Sequence, residues 1–188
     1  MKRITLFVLL LWMSETTFAQ EKPIVFKGAT IITVTGKTFS GGTMVVQNGK
    51  IIAVGAADIV IPANATIVDA SGKTIMPGIV DTHSHLGGPQ GGDASNPLNP
   101  EVRAMDAINP ISDGFKKALA GGITTINIMP GSGHLMSGQT VYVKMREGKI
   151  IEDLLITNEK GVNGGLKMAN GTNSIRSGNG FPGTRAKS

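Results

Sequence analysis

Thr74-Ile75-Met76-Pro77-Gly78-Ile79-Val80-Asp81-Thr82-His83-Ser84-His85 changes character in its middle. Before Pro77-Gly78 the chain alternates like a half-buried sheet; after it, Ile79-Val80 is continuously apolar, the pattern of a strand buried on both faces. The run ends in two histidines spaced i, i+2. In a strand, side chains two apart share a face, so both imidazoles can reach one point in space. Neutral imidazole is a common metal ligand, so His83 and His85 form half of a candidate metal site at the C-terminal end of a strand. The chain holds one further histidine, His134, and no cysteine.

Upstream, Ile24-Val25-Phe26 and Thr30-Ile31-Ile32-Thr33-Val34 are rich in β-branched residues. Thr43-Met44-Val45-Val46-Gln47 and Lys50-Ile51-Ile52-Ala53-Val54 flank Asn48-Gly49, the dipeptide favoured in a type I′ hairpin turn. Thr66-Ile67-Val68-Asp69 leads through Ser71-Gly72 to Lys73-Thr74-Ile75-Met76, and Pro23 to Met76 reads as a small antiparallel sheet unit.

Downstream of the histidines, Leu86 to Asn99 is a loop full of Gly, Pro and Asn. Asn99-Pro100 has the form of a helix cap and first position, with Val102, Met105 and Ile108 at helical spacing. A second helix is expected over Ser112 to Ala120, closed by Gly121-Gly122, before the strand Ile123-Thr124-Thr125-Ile126-Asn127-Ile128-Met129. Strand, loop, helix, strand is a βαβ unit, the element of parallel sheets and barrels. Gln139 to Arg146 and Ile150 to Ile156 read as extended. Asn170 to Ser188 is rich in Gly, Asn and Ser.

Met1 to Gln20 has the three parts of an export signal: basic Lys2-Arg3, apolar Ile4 to Met13, and a small-x-small cut at Thr17-Phe18-Ala19. That apolar stretch is shorter than the roughly 20 residues a bilayer requires. The mature protein is expected to be exported, periplasmic or extracellular, and free of the membrane after signal cleavage. Without cysteine it forms no disulfide, so stability must come from packing.

The formal charge of +5 gathers at the ends. Lys160, Lys167, Arg176, Arg185 and Lys187 stand without an acidic residue from Lys160 onward, and Gln20 to Glu159 sums to about −1. Only Phe181 is aromatic in that basic tail, which argues against nucleic-acid binding.

With Pro77-Gly78-x-x-Asp81-x-His83-x-His85 following a small β unit, the chain resembles the amidohydrolase superfamily, and within it imidazolonepropionase-like members. The resemblance continues through Gly121-Gly122-Ile123-Thr124-Thr125, Met129-Pro130-Gly131-Ser132-Gly133 and Gly165-Leu166-Lys167-Met168-Ala169-Asn170-Gly171. It implies an α/β fold, a (β/α)₈ TIM-type barrel with a β-sandwich assembled from both chain ends. It also implies hydrolysis of C–N bonds other than peptide bonds, in cyclic amides or amidines, with one or two divalent metals, zinc first among them.

A complete barrel takes about 250 residues, whereas Pro77 to Ser188 offers roughly 112, room for three or four βα units. The expected organisation is a signal at 1–20, a composite β-sandwich part at 21–76, and an incomplete barrel at 77–188. The general base and the remaining ligands are expected beyond Ser188, so the fragment by itself is expected to be inactive.

Metal ligation by His83 and His85 would lower the pKa of a water and polarise the scissile carbonyl. Asp81 has two open readings: it orients an imidazole from behind, or it pairs with a backbone group. Lys167 is either a carboxylated bridging ligand or a solvated lysine. His134, on the loop after a strand, is either a substrate contact or an exposed loop residue. The partner expected is a small-molecule substrate, with homo-oligomerisation open. Two rivals stand beside this reading: an exported, non-enzymatic β-rich binding module, and a peptidase-like or deacetylase-like amidohydrolase.

Overall fold

The structure, a computed structural model, describes residues 21–88, 92–93, 95–176 and 180–184. The export signal expected over Met1 to Gln20 lies outside the described residues. None of the described helices is long and apolar enough to cross a membrane. The chain forms two compact units that meet in sequence between Pro77 and Gly78.

The first unit is one sheet of β1 (Ile24–Ile32), β2 (Thr38–Gln47), β3 (Lys50–Gly55), β4 (Thr66–Asp69) and β5 (Thr74–Ile75). Asn48 (φ 50°) and Gly49 (φ 69°) both take the left-handed conformation that a type I′ turn demands, so β2 and β3 pair antiparallel with Gln47 opposite Lys50. The sheet differs from the expected antiparallel unit. In the order β3-β2-β1-β4 the chain leaves one edge after β3 and returns at the other, so β4 and β5 run parallel to β1. Alternation marks these segments as strands, but strand direction is set by the path of the 56–65 link, which alternation does not encode. Ala29, Ile31 and Ala70 form a small core with Phe26, Phe39, Met44 and Ile75 against it.

The second unit is built on a parallel pair, β6 (Ile79–Ser84) and β7 (Ile123–Ile128), joined through α1 (Asp113–Ala120). The Ser112 hydroxyl accepts the Gly114 N–H at the start of α1, and Gly121-Gly122 closes it, with Gly122 at φ 87°. Phe115 turns inward from α1 onto Ile126 and Ile128 of β7, together with Val141, Val143, Met145 and Leu154. Five of these, Ile126, Ile128, Val141, Val143 and Leu154, are at most 1% exposed. Each contributes about 1.5–3 kcal/mol by leaving water.

The doubly buried strand is β7, not β6. β7 lies between β6 and β9 (Val141–Lys144), whereas β6 is a sheet edge and leaves Ile79 and Val80 about half exposed. β9 runs antiparallel to β7, so the sheet is mixed rather than a strict parallel series. A second small sheet pairs β8 (Met136–Gln139) with β12 (Leu166–Met168), and β10 (Thr157–Asn158) with β11 (Gly161–Val162) forms a short hairpin.

Two further segments depart from their sequence pattern. The helix expected from Pro100 is only a 3-10 turn at Ala104–Ala107. The preceding chain runs extended beside β8, bridging Leu98 to Met136 and Arg103 to Gln139, and the Asn99 amide donates to the Asp93 and Asn96 carbonyls instead of capping a helix. Ile150 to Ile156, expected as extended, contains a 3-10 turn at Ile151–Asp153. There the Asp153 carboxylate accepts the Lys149 and Ile150 N–H groups, a local bond that competes with strand pairing.

Phe115→Ala should destabilise the second unit by about 3–5 kcal/mol, read as a lower urea midpoint by far-UV circular dichroism. Lys116→Ala, in an exposed pair with Asp113, should move that midpoint by less than about 0.5 kcal/mol equivalent. Equal effects of the two would contradict the assigned core.

Candidate metal centre

The end of β6 sits beside the end of β7, and that juxtaposition sets the site. Gly78 opens β6 where a Cβ would overlap the Thr124 side chain, so the Pro-Gly step allows the two strands to approach closely. The pairing continues past the strand ends, with the Met129 N–H donating to the Ser84 carbonyl at 3.0 Å. Register shifts fall between Ile79 and Val80 and between Asp81 and Ser84. The second irregularity breaks strict alternation, so the face shared by Asp81 and His83 in an ideal strand does not carry over directly.

His83 and His85 lie side by side, ring centroids 5.4 Å apart and rings nearly perpendicular at 80°. Both are exposed. The His85 Nδ1 lies 2.8 Å from the Met129 carbonyl, and since a carbonyl only accepts, Nδ1 carries the proton. Its Nε2 lone pair is thereby free for a ligand, the arrangement by which proteins hold metal-binding imidazoles in one tautomer. The Asp81 Oδ1 accepts the His83 backbone N–H at 3.0 Å, so this carboxylate braces the main chain of the histidine segment.

Lys167 is brought to the same place by β12. It stands opposite Gly138 of β8, and its side chain, 9% exposed, passes inward while Leu166 and Met168 face solvent. Its Nζ lies 3.4 Å from the His83 Nε2 and 3.4 Å from the Met129 Sδ. Among the described residues no carboxylate pairs with it. A buried ammonium facing a thioether and an imidazole is poorly compensated. Conversion of the amine to a carbamate would exchange the cation for an anion whose oxygens could serve as metal ligands.

Among the described residues no three His, Cys, Asp or Glu side chains are grouped closely enough to hold an ion. The donor set is therefore two imidazoles and the Lys167 amine. Its chemistry fits part of a catalytic metal site, which takes three protein ligands and an open position. Met129 is the residue that the sequence reading did not single out for a role: its carbonyl fixes His85 and its sulfur touches Lys167. Its signal was positional, as the last residue of the buried strand beside the histidine strand.

His134 is 4% exposed, not a solvated loop residue, and neither ring nitrogen has a hydrogen-bond partner among the described residues. Burial pushes its pKa below the ordinary histidine value, with the Arg176 charge adding to this and Asp93 opposing it.

No family model matches the chain. It is 39% identical to an enamidase of Eubacterium barkeri over 115 residues, 56% of this chain and 26% of that enzyme. With a dihydroorotase of Elusimicrobium minutum it shares 34% identity over 114 residues, 60% of this chain and 22% of the enzyme. The solved structure of an amidohydrolase from Thermotoga maritima superposes with a TM-score of 0.70 at 39% identity, over 80% of this chain and 40% of that one. The chain spans about a quarter of the length of those two curated relatives. The α/β fold with mixed sheets is thus amidohydrolase-like and resembles a barrel-type arrangement.

The depressed His134 pKa has a consequence for stability. Below about pH 6.5 the unfolded histidine binds more protons than the folded one, so stability is complete above that pH and falls as pH drops through it toward the folded pKa. Urea midpoints measured from about pH 8 down to pH 5 should fall more steeply in the wild type than in His134→Gln. Parallel curves would show that His134 is not held neutral by burial.

Proposed function

We propose that this member of the amidohydrolase superfamily supplies the first two metal ligands of a hydrolase that opens C–N bonds other than peptide bonds, in cyclic amides or amidines. The observation that carries this reading is the His83–His85 pair. Its rings are 5.4 Å apart, and the Nδ1 of His85 is fixed by the Met129 carbonyl. The sequence likeness to an enamidase and a dihydroorotase supports the reaction class. In finer detail we read an imidazolonepropionase-like enzyme with a (β/α)₈ barrel, exported after loss of residues 1–20 and acting on a small-molecule substrate.

His83 and His85 would hold a divalent ion, zinc by preference, through Nε2. A carboxylated Lys167, formed when its neutral amine adds to carbon dioxide and releases a proton, would supply the bridging oxygens toward a second ion. When bound, the metal would activate a water and polarise the scissile carbonyl or amidine carbon. The chain's own contribution is orientation. Met129 holds the His85 tautomer, Asp81 braces the His83 backbone, and β12 delivers Lys167 from the opposite side.

In the full-length protein, His83→Ala and His85→Ala should each lower metal content and ring-opening turnover by more than about a hundredfold, exceeding the usual loss from removing a supporting partner. Metal content is measured on the purified protein and turnover against a panel of cyclic amides and amidines. Bicarbonate should raise the activity of wild type and leave Lys167→Ala unchanged. Undiminished turnover in both histidine variants would overturn the reading.

A further inference from the structure

Asn127 of β7 lies opposite the irregular part of the histidine strand. Asp81 pairs with Ile126 and Ser84 with Ile128, so Thr82 and His83 together stand against Asn127 alone, the two-against-one arrangement of a β-bulge. A bulge disrupts the regular ladder and re-aims the side chain it carries. Here both polar groups of the Thr82–His83 peptide have side-chain partners. The His83 N–H donates to the Asp81 Oδ1 at 3.0 Å, and the Thr82 carbonyl accepts the Asn127 Nδ2 at 3.4 Å. One peptide plane is thus gripped from two sides, and the Cα–Cβ direction of His83 follows that plane.

Asn127 is 9% exposed, and its Oδ1 has no hydrogen-bond partner among the described residues. A buried amide with an unsatisfied oxygen carries a cost that an apolar side chain, like its neighbours Ile126 and Ile128, avoids. Packing therefore does not account for an asparagine here; the bond to Thr82 does. The two histidines are also held differently. The His85 ring is fixed by the Met129 carbonyl, whereas among the described residues the hydrogen bonds of the His83 ring reach only the Lys167 amine, and through Nε2, the atom proposed to bind metal. The direction of His83 is set from its backbone. We propose that Asn127 is a positioning residue: its amide clamps the Thr82–His83 bulge and so aims the His83 imidazole at the ion shared with His85. The inference rests on the proposed hydrolase for that ion, but the clamp itself needs neither metal nor turnover.

The test is amide hydrogen exchange of the full-length, metal-free protein, followed by zinc titration of the same samples. Two ladder bonds flank the bulge and serve as controls: the Ile79 N–H donates to the Gly122 carbonyl, and the Met129 N–H to the Ser84 carbonyl. Asn127→Leu and Asn127→Val both remove the donor and fill the site with apolar atoms. In each, the His83 N–H should exchange about five to ten times faster, the scale of one lost hydrogen bond, while Ile79 and Met129 keep their rates. Zinc should bind these variants about tenfold or more weakly, as when a partner that orients a ligand is lost.

Faster exchange at all three amides would show a strand loosened along its length and overturn the clamp, as would an unchanged His83 rate. A faster His83 amide with unchanged zinc affinity would overturn the aiming role. If both variants unfold, the wild type decides. Protection of the His83 N–H and the Asn127 Nδ2 protons upholds the clamp, and exchange at the rate of an unstructured peptide overturns it. Variants that weaken zinc binding in a protein that opens no C–N bond would sink the hydrolase reading and leave the clamp standing.

Discussion

The parallel seating of β6 against β7 is the constraint from which the candidate site follows. It carries the Met129 carbonyl to the His85 ring, fixes one tautomer, and holds two imidazoles within ligand-sharing distance of each other. The pairing is held mainly from one side. β7 is anchored by Phe115 of α1 and by Val141 and Val143 of β9, whereas β6 is an edge strand with Ile79 and Val80 in solvent. A rigid, buried strand therefore positions the chemistry presented by its exposed neighbour, which is the usual division between scaffold and site.

Polar groups at the strand ends follow a different logic from the core below. Ile126 and Ile128 are satisfied by burial alone, but Lys167 enters the same unit with, among the described residues, an imidazole and a thioether beside its amine. Such positions cost stability and persist where they serve a ligand or a reaction. His134 and Ser174 repeat the pattern on the adjoining loops, with no side-chain hydrogen-bond partner among the described residues. The core of the unit is thus mainly apolar, while its unsatisfied polar atoms among the described residues include Asn127 and Ser137 within strands as well as His134 and Ser174 on loops.

Much was legible in the residues themselves. Asn48-Gly49 gave its hairpin because only residues tolerant of positive φ close a two-residue loop. Ser112 and Gly121 bounded α1 because they satisfy the orphan groups of helix ends. Other elements were not legible. Asn99-Pro100 carries every local mark of a helix start, yet pairing with β8 holds it extended. Val25 and Val45 announce a strand face, but whether β4 joins antiparallel or parallel depends on a link that crosses the sheet.

The sequence by itself determined which residue types could bind a metal and that two of them shared a strand, because spacing along a chain is local. Tertiary structure alone decided that Lys167, eighty-four residues away from His83, points its amine at that imidazole. It also decided that His134 is buried and that the Asp81 carboxylate braces backbone. The physical reason is that burial and hydrogen-bond partnership are properties of packed neighbours, and which neighbours meet is set by strand register and crossover path, neither of which a periodicity records.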